Sequence, residues 1–262
     1  MTRAVLNHLA DTMTLPHPAK AYVSLKVAQL TAGLKKQRVT VDVEYDMGRV
    51  REVYRVDPAT FDKGLYPALD PAYRKNAERW VLVARDDEGV PIATAGAVRD
   101  YIHSDYRQAW ETGSLLIDAE RLSDHSYANR FNDDWVPPQF TCTAPIASQI
   151  QGEVFGLYGV WTHPDRRRGG LSKQLVQLVY ALAYASWSPG WLVGIVWPDL
   201  HSNVIWKSYG FSRAEHELTI RMPGVEALGM RLTAATRAEL ERFIGVPAIW
   251  ANPRAFDENL AW

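Results

Sequence analysis

The stretch Phe155–Trp187, FGLYGVWTHPDRRRGGLSKQLVQLVYALAYASW, decides how this chain is read. It opens as an apolar run with β character, passes through a short Pro/Arg/Gly turn and continues as an amphipathic helix. A strand feeding a glycine-containing turn and then a helix start is a ready anion site. The free N–H groups of the turn and first helical turn point at one spot, and the helix dipole adds partial positive charge there. Arg166, Arg167 and Arg168 fall at that spot, so the stretch reads as a pyrophosphate cradle, with a solvated basic turn as the plainer alternative. In the helix, Leu171, Leu175, Leu178, Leu182 and Ala185 form one stripe at helical spacing, widened by Val176, Val179 and Ala183, which predicts packing against a sheet.

Working outward, Trp191–Trp197 (WLVGIVW) is a continuous apolar run, as expected of a strand covered on both faces. Pro198-Asp199 ends it, Ser202–Tyr209 reads as a short helix stopped by Gly210, and Ala214–Met222 alternates as a last strand. Upstream, Trp80–Ala84 and Val90–Val98 flank Asp86–Gly89 as a hairpin. Val39–Tyr45 alternates as a strand, with a turn at Asp46–Gly48 leading into a second run, Val50–Val56. Asp57-Pro58 and Asp70-Pro71 each look like an N-cap followed by proline, predicting two short helices between 57 and 79. Residues 1–38 read as helical. Residues 99–152 are polar and irregular, with room for a helix at Asp118–Leu122 and a strand at Phe140–Cys142, and are expected to cover a site rather than build the core. Residues 223–262 carry one predicted helix, Ala234–Ile244. The organisation expected is one α/β domain over 39–222 with helical extensions at 1–38 and 223–262.

Composition bounds the function classes. At 262 residues, 47% hydrophobic and 23% charged, the chain has ample material for a core. A net charge of −1 gives no general pull toward nucleic acid or an anionic membrane, and no window approaches the apolar length of a membrane span. The start, MTRAVLNHLADTM, lacks the apolar core of a signal peptide. One cysteine, Cys142, permits neither an intrachain disulfide nor a Cys-based zinc site and suits a reducing cytoplasm; no metal is expected. Five of the ten tryptophans (Trp161, Trp187, Trp191, Trp197, Trp206) fall around the opening stretch, as bulky core or as an apolar wall beside a ligand.

Two motifs in order carry a family resemblance. His163-Pro164-Asp165-Arg166-Arg167-Arg168-Gly169-Gly170-Leu171-Ser172, followed by Ser202-Asn203-Val204-Ile205-Trp206-Lys207-Ser208-Tyr209-Gly210-Phe211, resembles the GNAT superfamily of acyl-CoA-dependent N-acyltransferases. The family's [Q/R]-x-x-G-x-[G/A] signature falls on Arg167, Gly170 and Ser172, where serine replaces the usual Gly or Ala. The resemblance spans about 155–212, with the hairpin at 80–98 matching the family's second and third strands. It implies a mixed, mostly antiparallel sheet with a splayed central strand pair, flanked by helices. It also implies acetyl-CoA or another acyl-CoA as co-substrate and an amine acceptor as partner. The pyrophosphate would lie on the N–H groups of Arg168, Gly169, Gly170, Leu171 and Ser172, with Arg167 and Arg168 pairing to phosphate, and the pantetheine arm along Val160, Trp161 and Thr162. Gly156 and Gly159 are candidates for a bulge in that strand. Asn203 is a candidate to hydrogen-bond the arm.

The implied reaction is attack by an amine on the thioester carbonyl, with a base for the ammonium proton, backbone polarisation of the carbonyl and an acid for the departing thiolate. In many family members that acid is a tyrosine four residues before the glycine of the second motif. Trp206 stands there, and its indole N–H is no donor of comparable acidity. Tyr209, nearly one helical turn on, is the substitute candidate, with a packed core aromatic as its plainer role. Asp199 and His201, just after the apolar strand, are candidates for the base, Glu153 is a weaker one, and His163, before Pro164 in the turn, reads as structural. Two other readings stay open: an acyl-CoA-binding module without catalysis, motivated by Trp206, and an acyltransferase acting on a nucleic-acid base. A homodimer is equally open.

Overall fold

The computed structural model describes residues 2–15, 17–61, 65–118, 138–167, 169–197, 205–221 and 226–246. Along the chain these form α1 (Thr2–Thr12), α2 (His17–Lys36), β1 (Thr40–Glu44), α3 (Met47–Val53), α4 (Pro58–Phe61), β2 (Glu78–Arg85), β3 (Pro91–Ile102), α5 (Tyr106–Glu111), β4 (Gln139–Cys142), β5 (Gly152–Thr162), α6 (Leu171–Trp187), β6 (Trp191–Val196), α7 (Ile205–Ser208), β7 (Arg213–Arg221), β8 (Leu228–Thr236) and α8 (Arg237–Ile244). The eight strands make one sheet in the order β1-β2-β3-β5-β6-β8-β7-β4. Neighbours run antiparallel except the central pair, β5 and β6, which is parallel. The mixed, mostly antiparallel sheet flanked by helices is the fold class the sequence implied.

The β2–β3 hairpin forms because Asp86 organises its turn: Oδ1 accepts from the N–H groups of Glu88 (3.1 Å) and Val90 (2.9 Å), and Gly89 takes φ +82°. Helix α6 lies across one face of the sheet. Leu175, Leu178 and Leu182 are fully buried there, each contributing on the order of 2 kcal/mol by removal from water. Val5, Leu9, Val23, Val27 and Leu34 share that core, so α1 and α2 pack as part of the same body as α6. The opposite face carries a second core, in which Val50, Tyr54, Tyr106, Trp110, Phe140, Ile150, Tyr158 and Trp161 meet. Strand β6 is covered on both sides, Leu192 facing the first core and Val193 the second.

Several elements differ from expectation for identifiable reasons. The run Val50–Val56 is helical: Asp46 caps α3 by accepting from Gly48 and Arg49 N–H, and Met47, Val50, Val53 and Tyr54 are buried at helical spacing. A 3-10 turn, Tyr54–Val56, follows. Of the two helices expected between 57 and 79, Asp57-Pro58 opens the single turn of α4, whereas Asp70 caps a turn through Ala72 N–H (2.8 Å) without starting a helix. The segment expected merely to cover a site supplies core instead, through Tyr106, Trp110, Phe140 and Ile146. Its strand, β4, is an outer strand paired with β7; the helix expected at Asp118–Leu122 lies, from 119 on, outside the described residues. Strand β7 is followed by another, β8, inserted between β6 and β7 in the sheet. The last helix starts at Arg237, where Thr236 and Glu239 form a reciprocal capping box.

Candidate functional site

The site is built where β5 leaves β6. Strand β5 pairs with β3 along its length, from Gly152 to Thr162, but with β6 only from Val154↔Trp191 to Leu157↔Gly194. Ile195 and Val196 continue instead beside Leu232 and Arg231 of β8. From Tyr158 to Thr162, therefore, one edge of β5 has no strand partner among the described residues, although the Thr162 carbonyl accepts from Arg167 Nε. A bulge lies at the same place. Pairing passes from Tyr158↔Gly96 to Trp161↔Thr94, one more residue on β5 than on β3, and Gly159 takes φ +59°. The extra residue sends Val160 to the α6 side and Trp161 to the opposite core. Gly156 makes room for Tyr158, because a Cβ there would stand 2.3 Å from the Tyr158 ring.

The turn after β5 leads directly into α6. His163 N–H bonds the Ile92 carbonyl (2.9 Å), a 3-10 turn spans Pro164–Arg166, and the His163 Nδ1 accepts from Asp165 N–H (3.4 Å), a structural role. Gly170 is the N-cap of α6 at φ +74°, where a Cβ would meet nothing within 4 Å. A glycine cap supplies no side-chain acceptor, and the first turn of α6 holds no acidic residue. The amides of Leu171 and Ser172 at this helix start thus retain their attraction for an anion.

Arg166 and Arg167 do not act together. Arg166 reaches back to Asp86 of the hairpin turn (3.5 Å). Arg167 donates from Nε to the Thr162 carbonyl (3.2 Å) and adds its charge near Asp57. Hydrogen bonds from Trp161 Nε1 (2.9 Å) and Thr60 Oγ1 (2.8 Å), both to Oδ2, hold the Asp57 carboxyl below the usual carboxylate range, with Arg167 contributing. Arg168 lies outside the described residues. The glycine cap, the acid-free first turn and the one-sided strand fit a pyrophosphate with an extended arm.

The second motif is described from Ile205 onward; Asp199, His201 and Asn203 lie outside the described residues. Trp206 packs against the α6-side core, its indole N–H is buried without a hydrogen-bond partner among the described residues, and Lys207 Nζ sits 5.4 Å from its ring centroid. Tyr209 is 9% exposed in the same core. Burial raises its pKa, partly offset by the nearby Ser172 side chain at the first turn of α6. Glu153 is no base for this site: at the other end of β5 both its oxygens accept from Arg99, at 2.9 and 2.8 Å. Sequence reading missed Asp57, Tyr54 and Thr94. Thr94 had a usable signal: a hydroxyl within the run Ala93–Val98, otherwise Ala, Gly and Val, must find a partner once buried.

No family model matches the chain. The chain is similar to coiled-coil domain-containing protein 146 of Rattus norvegicus at 30% identity over 105 residues, and it spans about a tenth of that protein's length (10%, against 37% of this chain). Among solved structures, it is similar to a chimera of spermidine N-acetyltransferase SpeG from Vibrio cholerae and hSSAT (TM-score 0.43, 9% identity, 78% of this chain and 98% of that one). It is also similar to the aminoglycoside acetyltransferase AAC(6')-Ib in complex with coenzyme A and kanamycin (TM-score 0.41, 14% identity, 78% and 98%). Among the described residues, no group of three or more His, Cys, Asp or Glu is placed to hold a metal ion, and no helix is long and apolar enough to cross a membrane.

Proposed function

We propose that the chain is an N-acyltransferase that moves an acyl group, acetyl in the simplest case, from acyl-CoA to an amine of a small molecule or protein. The observation that carries this reading is the loss of β5–β6 pairing beyond Leu157 beside the glycine-capped start of α6. Acyl-CoA supplies an activated thioester carbonyl. The N–H groups from Gly169 to Ser172, with Arg167 and Arg168, hold the pyrophosphate, and the free edge of β5 at Val160–Thr162 orders the arm. Asn203 hydrogen-bonds that arm and Trp206 walls it. Tyr209, kept protonated by burial, serves as proton donor to the sulfur; Asp199 or His201 relieves the acceptor ammonium of its proton. Cys142, the lone cysteine, is buried and free, in keeping with a cytoplasmic setting.

A second reading, an acyl-CoA-binding module without turnover, draws on the same geometry. Trp206 is no proton donor of tyrosine's strength, and burial raises the Tyr209 pKa, so that hydroxyl gives up its proton less readily. Incubating the protein with acetyl-CoA, a thiol reagent and a panel of primary amines separates the two. Amine-dependent release of free CoA is the expected result. Tight CoA binding with no release across the panel would leave only the binding module.

A further inference from the structure

The bulge in β5 is held from outside the strand. Thr94, fully buried on β3, donates from Oγ1 to the Gly159 carbonyl at 2.7 Å, and its oxygen lies 3.1 Å from the hydroxyl of Tyr54, which follows α3. A Cβ on Gly159 would come within 2.8 Å of Leu69 and 3.4 Å of the Tyr54 hydroxyl, so this side of the bulge is closely packed. No cis peptide occurs among the described residues. In a trans peptide the C=O and N–H point opposite ways, so a Gly159 carbonyl aimed at Thr94 turns the Val160 N–H away from it. The Val160 side chain lies on the α6 side, and this peptide sits within the part of β5 that β6 has left.

Resting on the acyltransfer reading, the geometry points to Thr94, backed by Tyr54, as a positioning residue: it fixes the Gly159–Val160 peptide so that the Val160 N–H meets the acyl oxygen. In the transfer the amine nitrogen bonds the acyl carbon as the carbon–sulfur bond breaks, the amine gives up a proton and the sulfur gains one. Negative charge builds on the acyl oxygen meanwhile, and an N–H held beforehand in the right direction stabilises it at no cost in reorganisation. A peptide free to rock would lose that advantage, because about 1 Å of misplacement costs on the order of a hundredfold in rate.

Thr94→Val keeps the shape and removes the donor. With carbonyl-labelled acetyl-CoA bound, the infrared stretch of the thioester carbonyl should sit at lower frequency in the wild type than in water, and Thr94→Val should reverse most of that shift. Turnover should fall roughly ten- to hundredfold in kcat with KM for acetyl-CoA nearly unchanged, and Thr94→Ser should restore both. A wild-type carbonyl frequency and kcat in Thr94→Val would overturn the assignment. If Thr94→Val does not fold, Tyr54→Phe removes only the outer bond; it should give a smaller change of the same sign, and no change would count equally against the assignment. Failure of the wild type to bind acetyl-CoA at all would instead sink the acyltransfer reading, and this inference with it.

Discussion

Glu241 shows how a single residue here works against the fold it belongs to. It is 5% exposed on α8 and accepts a hydrogen bond from Tyr184 of α6 (2.8 Å). Burial raises its pKa above the ordinary carboxylate value, partly offset by Tyr184 and by the charge of Arg237. A raised folded-state pKa means that ionisation is easier in the unfolded chain. The residue therefore costs nothing below the unfolded pKa and destabilises increasingly as pH rises from there through the folded pKa. Glu241→Gln keeps an acceptor for Tyr184 and removes the charge. It should raise Tm by a few degrees at pH 7 and leave it unchanged near pH 4 in thermal scans; a loss of stability at pH 7 would show that the charge is stabilising after all.

At the scale of elements, the junction of β8 and α8 depends on one residue. Thr236 is the last residue of β8 and the N-cap of α8, where its side chain accepts from Glu239 N–H while Glu239 accepts from Thr236 N–H (2.7 Å). Thr236→Ala should cost about 1 kcal/mol in urea unfolding, with Glu239→Ala non-additive to it because the two share the same bonds. This junction also marks where the sequence misleads. Leu228–Thr236 ends in Thr-Ala-Ala-Thr and runs into Arg-Ala-Glu-Leu, so its alanine-rich end looks helical, whereas Ala234 and Ala235 are fully buried in a strand paired with β6. The run Val50–Val56 misleads in the other direction: valine favours strands, but Val50, Val53 and Val56 recur every three residues, and the cap at Asp46 decides for a helix. By contrast, α6 and the β2–β3 hairpin were legible, because a long stripe and an acidic glycine turn each specify their element locally. The sequence of strand, glycine turn and helix start was legible for the same reason. The splay was expected only through the family resemblance, since β8 sets the path of β6, and Thr94's hold on Gly159 was not legible, since it depends on β3 and Tyr54, distant in sequence.

For the whole molecule, two cores on opposite faces of one sheet explain how the site is placed. One is built by α1, α2 and α6, and the other by α3, α5 and β4. They fix β5 from both sides while leaving its edge toward β6 without a strand partner among the described residues after Leu157. The helices of residues 2–36 share the core of α6, so α6 is supported by them as well as by the sheet. The central claim is that the start of α6 binds the pyrophosphate of acyl-CoA, and calorimetric titration with acetyl-CoA tests it most directly. The wild type should bind in roughly the micromolar range common for enzyme substrates. Gly170→Glu, which sets a carboxylate at the helix cap, should abolish the binding heat, as should Arg167→Ala, while circular dichroism stays that of the wild type. Wild-type affinity in folded Gly170→Glu would contradict the account.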